Sequence, residues 1–362
     1  FKYLSLPERI NKRNMPPVEI IDMRNEMKNG NLSIFSLKLK NNIEKAFKKN
    51  EQVLLFLNRR GYSNFALCRE CGYVLRCKNC DISLTYHDKE KLLKCHYCDF
   101  SREVPRFCPE CGSKYIKKFG IGTEKLEEEV KKYFPEAVVD RMDVDTTRKK
   151  GAHRKILKRL EENKTDILIG TQMITKGHDY PDISVVGVIT ADTILNLPDF
   201  RSSERTFQLI TQVAGRTGRG DKGGQVIVQT YSPGHYSIQA ARKHDYQKFY
   251  KKELNLRKKL NYPPFSKLVN IIVEGENNEK VIDAASSLGK FFDIYRNNID
   301  ELLGPSPAPI ERLRGKYRWQ IILKFSKYKN RKYILKEIKD NFFPYKLESI
   351  KFNIEVDPIS ML

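Results

Sequence analysis

The eight cysteines of this chain form four Cys-x2-Cys pairs, all between Cys68 and Cys111. The pairs are Cys68/Cys71, Cys77/Cys80, Cys95/Cys98 and Cys108/Cys111. A Cys-x2-Cys turn directs two thiolates at one tetrahedral ion, so two such turns complete a structural site with four sulfur ligands. Gly72 and Gly112 each follow a pair, and glycine lowers the steric cost of a tight turn there. The pattern therefore predicts two structural zinc ions in one small module.

The spacing of the pairs constrains which of them share an ion. Fourteen residues separate Cys80 from Cys95, close to the spacing of two facing turns in a zinc ribbon. This favours a nested arrangement, and a sequential arrangement of the first two and last two pairs is the alternative. The nested ligand sets are Cys77, Cys80, Cys95 and Cys98 for one zinc and Cys68, Cys71, Cys108 and Cys111 for the other. His87 and His96 are then expected to be surface residues, because eight thiolates fill both sites.

Disulfides are a competing interpretation of the cysteines. They form in oxidising compartments, and nothing in the sequence points to secretion. A redox-active pair and an iron–sulfur cluster are the remaining alternatives.

Strand and helix patterns alternate on both sides of the cysteines. Val53–Leu57 is a continuous apolar run of the kind found in buried parallel strands. A helix is predicted from Thr123 to Phe134, with Thr123 as its N-cap. Further strands are predicted at 166–170, 185–190 and 225–230, with a helix at Ser203–Ala214. Such alternation predicts an α/β domain with a parallel sheet, interrupted by the cysteine module.

Three domains follow from these patterns. Residues 1–65 and 116–262 form the α/β domain, residues 66–115 the inserted zinc module, and residues 263–362 a small α+β domain. A long helix is predicted over Tyr236–Leu260, and Gly304–Pro309 is predicted to be a rigid loop.

Net charge is +22, from 67 lysines and arginines against 45 acidic residues. Such an excess favours a polyanionic partner, because Lys and Arg gain affinity by releasing counterions from phosphates. Charge alone does not separate DNA, RNA and anionic lipid, and a Lys-rich solvated surface is the ordinary alternative. The sequence contains no apolar run of membrane-spanning length.

Two arginines stand three residues apart beside glycines in Gln212–Gly220, with the sequence Q-V-A-G-R-T-G-R-G. On a continuing helix Arg216 and Arg219 share one face, and the planar guanidinium suits phosphate oxygens. Gly215 lets the backbone approach a ligand closely. A Gly/Arg surface loop is the alternative.

A second polar segment directly follows the predicted strand at 166–170. Residues in that position lie at the carboxyl edge of the sheet, where α/β domains place ligands. Thr171, Gln172 and Lys176 are therefore candidates for contact with nucleic-acid phosphates, and a polar strand-to-helix loop is the alternative. Asp192, which follows the next strand, is either a link between two ligand sites or a turn cap.

These segments carry a resemblance to a known family. Gly170-Thr171-Gln172 and Gln212–Arg219 resemble motifs V and VI of superfamily 2 helicases, and Val53–Tyr62 resembles their motif IV region. More specific are the four cysteine pairs, Asp199-Phe200-Arg201 with Ser203-Glu204-Arg205, and Ile310–Gly315. Together they resemble the PriA family (primosomal protein N′), whose members restart replication at stalled forks. The resemblance runs from about Tyr3 to Leu362.

That resemblance implies a RecA-like second helicase lobe with an inserted two-zinc module in the nested pairing, followed by a C-terminal DNA-binding domain. It implies a bacterial, cytoplasmic and nucleoid-associated 3′-to-5′ DNA helicase that uses ATP and Mg²⁺ in the intact protein. It also implies branched fork DNA and single-stranded DNA as ligands. The implied protein partners are single-strand-binding protein, primosome proteins and the loader of the replicative helicase, with the chain itself monomeric.

The family's motifs also imply roles for residues. Arg219 is expected to be the arginine finger, with Arg216 assisting and Gln212 linking the nucleotide state to lobe closure; Gly215 would lie at the nucleotide. Thr171, Gln172 and Lys176 would grip the DNA backbone. Arg318 and Trp319 lie in a stretch that mixes charge with aromatics, as single-strand-binding surfaces do, although a strand with snorkelling side chains is equally compatible.

The sequence departs from the family pattern in one respect. It contains no G-x-x-x-x-G-K-[ST] segment and no Asp-Glu-x-His, which in the family belong to the first helicase lobe. The chain alone is therefore expected not to hydrolyse ATP. The competing function is a non-catalytic zinc-ribbon scaffold for nucleic acid or protein, and an RNA helicase half is a third option.

Overall fold

The structure, a computed structural model, describes residues 15–57, 65–79, 82–87, 90–119, 122–171, 173–174, 182–216, 224–342 and 349–361. The strands are β1 Val18–Asp22, β2 Gln52–Phe56, β3 Phe65–Cys68, β4 Thr85–His87, β5 Leu92–Lys94, β6 Ser101–Glu103, β7 Ile116–Phe119, β8 Val139–Met142, β9 Ile167–Gly170, β10 Ile183–Val188, β11 Gln225–Thr230, β12 Lys267–Gly275, β13 Glu301–Leu313, β14 Lys316–Phe325 and β15 Ile350–Val356. The helices are α1 Met23–Lys28, α2 Leu37–Lys48, α3 Thr123–Tyr133, α4 Ala152–Glu161, α5 Asp192–Leu195, α6 Ser202–Arg216, α7 Tyr236–Arg242, α8 Tyr246–Lys259, α9 Asn278–Ile294 and α10 Tyr328–Glu337. A short 3₁₀ turn at Arg296–Asn298 and a π-helical turn at Ile338–Phe342 complete the description.

The chain divides into two compact units. Unit 1 comprises residues 1–59, 121–192 and 205–249, and unit 2 comprises residues 60–120, 193–204 and 250–362. The three-domain division drawn from the sequence stays a prediction. In the structure the cysteine-rich segment and the C-terminal segment belong to the same unit.

Unit 1 is built on a parallel sheet with the strand order β1-β11-β10-β2-β9-β8. Strand β2 is central and buried along its whole length, as its apolar run predicts. On α2 the buried positions Leu39, Ile43 and Ala46 recur at helical spacing. They pack with Leu126 of α3 against the sheet in one core. This is the parallel α/β arrangement that the sequence predicts.

The start of α3 differs from the prediction. Gly122, not Thr123, is the N-cap, and it offers no side chain to the helix. The Thr123 hydroxyl instead donates to the carboxylate of Asp143, with Oγ1 and Oδ2 separated by 2.6 Å. The N-cap assignment was wrong because the hydroxyl of Thr123, which an N-cap would use to accept a backbone N–H, is bonded to Asp143, twenty positions away.

The cysteine-rich segment of unit 2 forms an antiparallel sheet of short strands in the order β6-β5-β4-β3-β7. The first strand, β3, pairs with the last, β7, so that Phe65 lies opposite Phe119 and Cys68 opposite Ile116. The segment therefore starts and finishes on adjacent strands.

The C-terminal segment of unit 2 is a second antiparallel sheet, ordered β13-β14-β12-β15, with α9 on one face. A separate buried cluster joins this segment to the cysteine-rich sheet. It contains Leu93 and Tyr97 from the cysteine-rich segment and Leu268, Ile322 and Met361 from the C-terminal segment. The two segments of unit 2 thus share a hydrophobic core.

Two further predictions were wrong. The helix expected over Tyr236–Leu260 is two helices, α7 and α8, separated where His244 adopts a positive φ of 53°. The predicted loop Gly304–Pro309 is part of β13, an edge strand whose register shifts between Leu303 and Ser306 and again between Pro307 and Arg312. Proline lacks the N–H that an inner strand needs, and an edge position tolerates that loss. No helix in the described ranges has the length and apolarity that crossing a bilayer requires.

Candidate metal centres and helicase motifs

The outer four cysteines bring their thiols together. Cys68 Sγ lies 3.7 Å from Cys111 Sγ, and Cys71 Sγ lies 3.6 Å from Cys108 Sγ. All four sulfur atoms lie within 4.8 Å of one another. Cys68 and Cys71 come from the end of β3, and the other two precede β7. This grouping is the nested arrangement.

The inner cluster contains Cys77, Cys95 and Cys98, whose sulfur atoms also lie within 4.8 Å of one another. Cys77 Sγ and Cys98 Sγ are 3.5 Å apart. Cys80, the predicted fourth ligand, lies outside the described residues. The three described sulfurs again correspond to the nested arrangement.

The sulfur separations fit tetrahedral zinc. With zinc–sulfur bonds of about 2.3 Å, neighbouring sulfurs of a tetrahedron are about 3.8 Å apart, whereas a disulfide needs a separation of about 2.0 Å. The measured values of 3.5–3.7 Å lie near the tetrahedral edge. The described cysteines are free thiols, so the donor set and its spacing suit zinc.

The backbone around the thiols has a repeated turn. After the second cysteine of three pairs, Gly72, Asp99 and Gly112 have φ values of 80°, 58° and 71°. Their N–H groups donate to the carbonyl of the first cysteine, for example Gly72 N to Cys68 O at 2.8 Å. The glycines fill this left-handed position as predicted. Asp99 fills it too, because Asp adopts that conformation more readily than most residues.

The motif after β9 lies on a tight turn. A Cβ atom on Gly170 would come 1.4 Å from Cδ1 of the buried Ile174, so any larger residue there would require that side chain to move. Thr171 is 6% exposed, and its N–H donates to Met142 O at 3.3 Å. The other two candidates of this segment, Gln172 and Lys176, lie outside the described residues.

The glycine–arginine motif lies at the end of α6. Gln212 is exposed, whereas Val213 and Ala214 are buried. A Cβ atom on Gly215 would meet no described atom within 4 Å. Arg216 is the last residue of the helix, and its side chain and all of Arg219 lie outside the described residues.

Asp192 is fully buried at the start of α5. Its Oδ2 accepts the N–H of Tyr231, which directly follows β11, at 2.9 Å. Burial raises the pKa of Asp192, while hydrogen bonds from the backbone of Tyr231 and the side chain of Thr230 oppose that rise. The carboxylate therefore connects the segment that follows β10 to the segment that follows β11. This contact corresponds to the turn-cap interpretation of Asp192.

Sequence comparisons agree with this architecture. Residues 115–221 match the family model of the helicase conserved C-terminal domain, and residues 77–102 match the PriA DNA helicase Cys-rich region domain. Residues 258–359 match the primosomal protein N C-terminal domain. The replication restart protein PriA of Bacillus subtilis is 47% identical over the whole of this chain. This chain belongs to the PriA family.

The PriA relatives are longer than this chain, which spans 45% of the Bacillus subtilis protein. The replication restart protein PriA of Synechocystis is 46% identical over 99% of this chain and 43% of its own length. Among solved structures, RecG bound to a three-way DNA junction is similar with a TM-score of 0.35 and 12% identity, over 68% of this chain and 22% of that one.

In this PriA-family chain, Arg318 and Trp319 lie on β14, between β13 and β12. Both are half-buried. Arg318 Nη1 donates to Ile310 O of β13 at 3.2 Å, and Trp319 packs against the core of the C-terminal sheet. Both side chains thus make contacts within the protein. Contact of Arg318 and Trp319 with DNA stays a prediction.

One cluster was missed by the sequence analysis of this PriA-family chain. His87, His96 and Glu311 bring ligand-type atoms within 4.8 Å of one another. The expectation that both histidines are surface residues was wrong, because His96 is 0% exposed and the side chain of His87 is only 10% exposed. The C-terminal segment contacts both of them, through Pro307 and Glu311. Burial lowers the pKa of His96 to about 4. The position of His96 inside a Cys-x2-Cys pair was visible in the sequence, but its partner Glu311 lies more than two hundred residues away.

Proposed function

We propose that this chain is the second motor lobe, zinc module and C-terminal domain of an ATP-dependent 3′-to-5′ DNA helicase that restarts replication at stalled or recombined forks. The observation that carries the proposal is 47% identity over the whole chain to a protein named replication restart protein PriA. The parallel α/β unit supports it, since helicase lobes of this class are built on such sheets. The activity is proposed for the intact protein, because the chain spans 45% of that relative.

The end of α6 is the proposed nucleotide-facing surface of this lobe. ATP bound with Mg²⁺ between two lobes would supply the phosphoryl group and the energy. Arg219 then stabilises the charge that develops on that group, and Arg216 assists by binding phosphate oxygens. Gln212 links the nucleotide state to lobe closure. The exposure of Gln212 supports this assignment.

DNA contacts are proposed for Thr171, Gln172 and Lys176 in this lobe and for Arg318 and Trp319 in the C-terminal segment. Because Thr171 is nearly buried, the grip on phosphates is assigned mainly to Gln172 and Lys176. The net charge of +22 supports a polyanionic ligand. Branched fork DNA and single-stranded DNA are the proposed substrates.

Two structural zinc ions are proposed, one for each group of four cysteines. The tetrahedral sulfur separations support both sites, and Cys80 would complete the inner one. Structural zinc in such sites contributes directly to folding. Single-strand-binding protein, primosome proteins and the loader of the replicative helicase are the proposed protein partners, which the intact protein would meet as a monomer in the bacterial cytoplasm, at the nucleoid.

The test of the motor role is Arg219→Ala in the intact protein. We expect DNA-stimulated ATP turnover to fall by about 10³-fold or more, because an arginine finger is worth that much in other phosphoryl-transfer enzymes. Fork-DNA binding should stay within a few-fold of wild type. The matched control is Arg242→Ala, which removes an exposed arginine from α7 and should leave both activities unchanged.

Near-normal DNA-stimulated ATP turnover in the Arg219→Ala protein would contradict the assignment. If turnover is also negligible in the wild type while DNA binding persists, the non-catalytic zinc-ribbon scaffold becomes the better description. The unit shared by the cysteine-rich and C-terminal segments is the observation that favours that second candidate.

A further inference from the structure

A cluster of two histidines and one carboxylate in unit 2 shares no residue with either cysteine group. His87 is the last residue of β4, His96 lies within the Cys95/Cys98 turn, and Glu311 lies on β13. His87 Nδ1 is 3.0 Å from Glu311 Oε1, and the two imidazole rings have centroids 5.2 Å apart. One ring nitrogen of each histidine and one oxygen of Glu311 lie within 4.8 Å of one another.

The hydrogen bonds of His96 leave one of its nitrogens as an acceptor. His96 Nδ1 is 2.9 Å from Pro307 O, and a carbonyl oxygen only accepts, so Nδ1 carries the proton. Nε2 therefore has a lone pair. It is buried and has no hydrogen-bond partner among the described residues. A backbone carbonyl that holds one ring nitrogen while the other faces a metal is the usual arrangement of a metal-binding histidine.

His87 turns its Nδ1, not its Nε2, to the carboxylate of Glu311. The 3.0 Å between Nδ1 and Oε1 is close to the spacing of two ligand atoms on one zinc ion, so these two atoms could share a metal. Buried side-chain nitrogens are nearly always partnered. An ion pair between His87 and Glu311 would explain their contact but leaves His96 Nε2 without a partner among the described residues.

Two further charged groups, Lys94 and Asp99, act on this cluster. The ammonium group of Lys94 is paired with Glu90, and the carboxylate of Asp99 adds negative charge that favours a bound cation. Two imidazoles and a carboxylate are a ligand set that zinc and related divalent ions bind. In a tetrahedral zinc site with such ligands, neighbouring ligand atoms are about 3.3–3.5 Å apart. The ligand atoms of this cluster lie within 4.8 Å of one another, so small side-chain rotations would bring them to that spacing.

We propose that His87, His96 and Glu311 form a third, exchangeable site for a divalent transition metal such as Zn²⁺. Three protein ligands leave a fourth position for water, unlike the closed four-cysteine sites. The site would join the cysteine-rich segment to the C-terminal segment of unit 2, because two ligands come from the former and one from β13. This inference does not depend on the proposed helicase function.

The test measures zinc binding to the intact protein whose cysteine sites are already filled. Equilibrium dialysis against Zn²⁺ with elemental analysis should show one more ion per chain in the wild type than in Glu311→Gln. Loss of a direct ligand should lower the affinity for this additional ion by more than about 100-fold, because loss of a residue that only hydrogen-bonds to a ligand already lowers metal affinity by about 10- to 100-fold. Glu311 is chosen because its side chain is 38% exposed and Gln keeps its shape.

The matched control is Glu276→Gln, an exposed carboxylate of the same unit, which should bind the same number of ions as the wild type. With Co²⁺ as the probe, the additional ion should lack the thiolate charge-transfer bands of the cysteine sites. Added Zn²⁺ should raise the melting temperature of the wild type and the control but not of Glu311→Gln. Equal stoichiometry in wild type and Glu311→Gln, or charge-transfer bands on the additional ion, would overturn the proposal.

Discussion

Asp143 shows how a single buried carboxylate organises the chain around it. Its oxygens accept the hydroxyl of Thr123 and the N–H groups of Asp145 and Thr146, and they pair with the guanidinium of Arg141, whose Nε is 3.1 Å from Oδ2. Burial alone would raise the pKa of Asp143, but the hydrogen bonds of Thr123 and Thr146 and the charge of Arg141 outweigh it and bring the pKa below its ordinary value. The charged form therefore stabilises unit 1.

We expect Asp143→Asn to reduce the stability of α3 and β8 at neutral pH by about 2–3 kcal/mol, because hydrogen bonds to a charged group are lost. Native-state hydrogen exchange of amides in these elements measures it. The pKa of Asp143 is lower in the folded protein than in the unfolded chain, where it is about 3.9. Its charged form therefore stabilises the fold fully above that unfolded value, and the stabilisation is lost as the pH falls through the folded pKa. The difference between wild type and variant should therefore shrink below about pH 4.

Asp145→Asn is the matched control for this substitution. Asp145 is 41% exposed and its ion pair with Arg148 is at the surface, so the same change there should cost less than about 0.5 kcal/mol. A cost for Asp143→Asn as small as that of the control would show that the buried contacts contribute little.

At the scale of elements, the cysteine-rich sheet is too small to be stable without help. Its strands are three or four residues long. Short strands of this kind need further packing or a metal to fold. Part of that packing comes from the cluster that Leu93 and Tyr97 share with Leu268 and Ile322 of the C-terminal sheet. The rest is expected from zinc, which contributes about 10–16 kcal/mol in small zinc domains.

Removal of zinc with a strong chelator should release two tightly bound ions per chain and expose the amides of residues 65–119 to hydrogen exchange. Amides of β2 and β10 in unit 1 should keep their protection, because their core contains no residue of the cysteine-rich segment. Protection at Leu268 and Ile322 should fall partially, since one side of their packing is lost. Restoring Zn²⁺ should restore protection. Release of a single ion, or unchanged exchange in residues 65–119, would contradict the two-site interpretation.

Elements with a strong local pattern were predictable from the sequence, and features set by distant partners were not. The apolar run Val53–Leu57 is enough to specify a buried strand, and β2 occupies nearly those residues. The cysteine spacing likewise favoured the nested grouping. The hydroxyl of Thr123 and the burial of His96 depend on partners outside the local sequence, and no local pattern encodes such partners. The strand that contains Pro305 was missed for a different reason: its prolines are typical of a loop, although it pairs with the next strand, β14.

The whole molecule carries an excess of positive charge, +22 over 362 residues. Charge of this size acts over the surface rather than through one contact, and it favours nucleic acid through counterion release. Lysine and arginine are spread over both units, for example as the run Arg257–Lys259 at the end of α8. The excess is thus a property of the molecule and not of one motif.

We expect the affinity of the intact protein for single-stranded DNA to fall steeply with salt. A protein that makes 6–10 phosphate contacts loses about 10³- to 10⁵-fold between 50 and 200 mM salt on duplex DNA, and somewhat less on single strands. Fluorescence anisotropy with a labelled oligonucleotide measures the slope. A parallel titration with an uncharged-backbone oligonucleotide of the same sequence is the control. An affinity that is independent of salt would show that the basic charge is not used for binding DNA.

The nested grouping of the cysteines also fixes the order in which a growing polypeptide can take up metal. Cys68 and Cys71 leave the ribosome first, but their partners Cys108 and Cys111 are the last cysteines to be made. The inner thiols, down to Cys98, are all synthesised before that. For the two ions proposed here, a nascent chain can therefore fill the inner site while the outer site is still incomplete. The proposed outer ion can bind only after every strand of the segment except β7 has been translated.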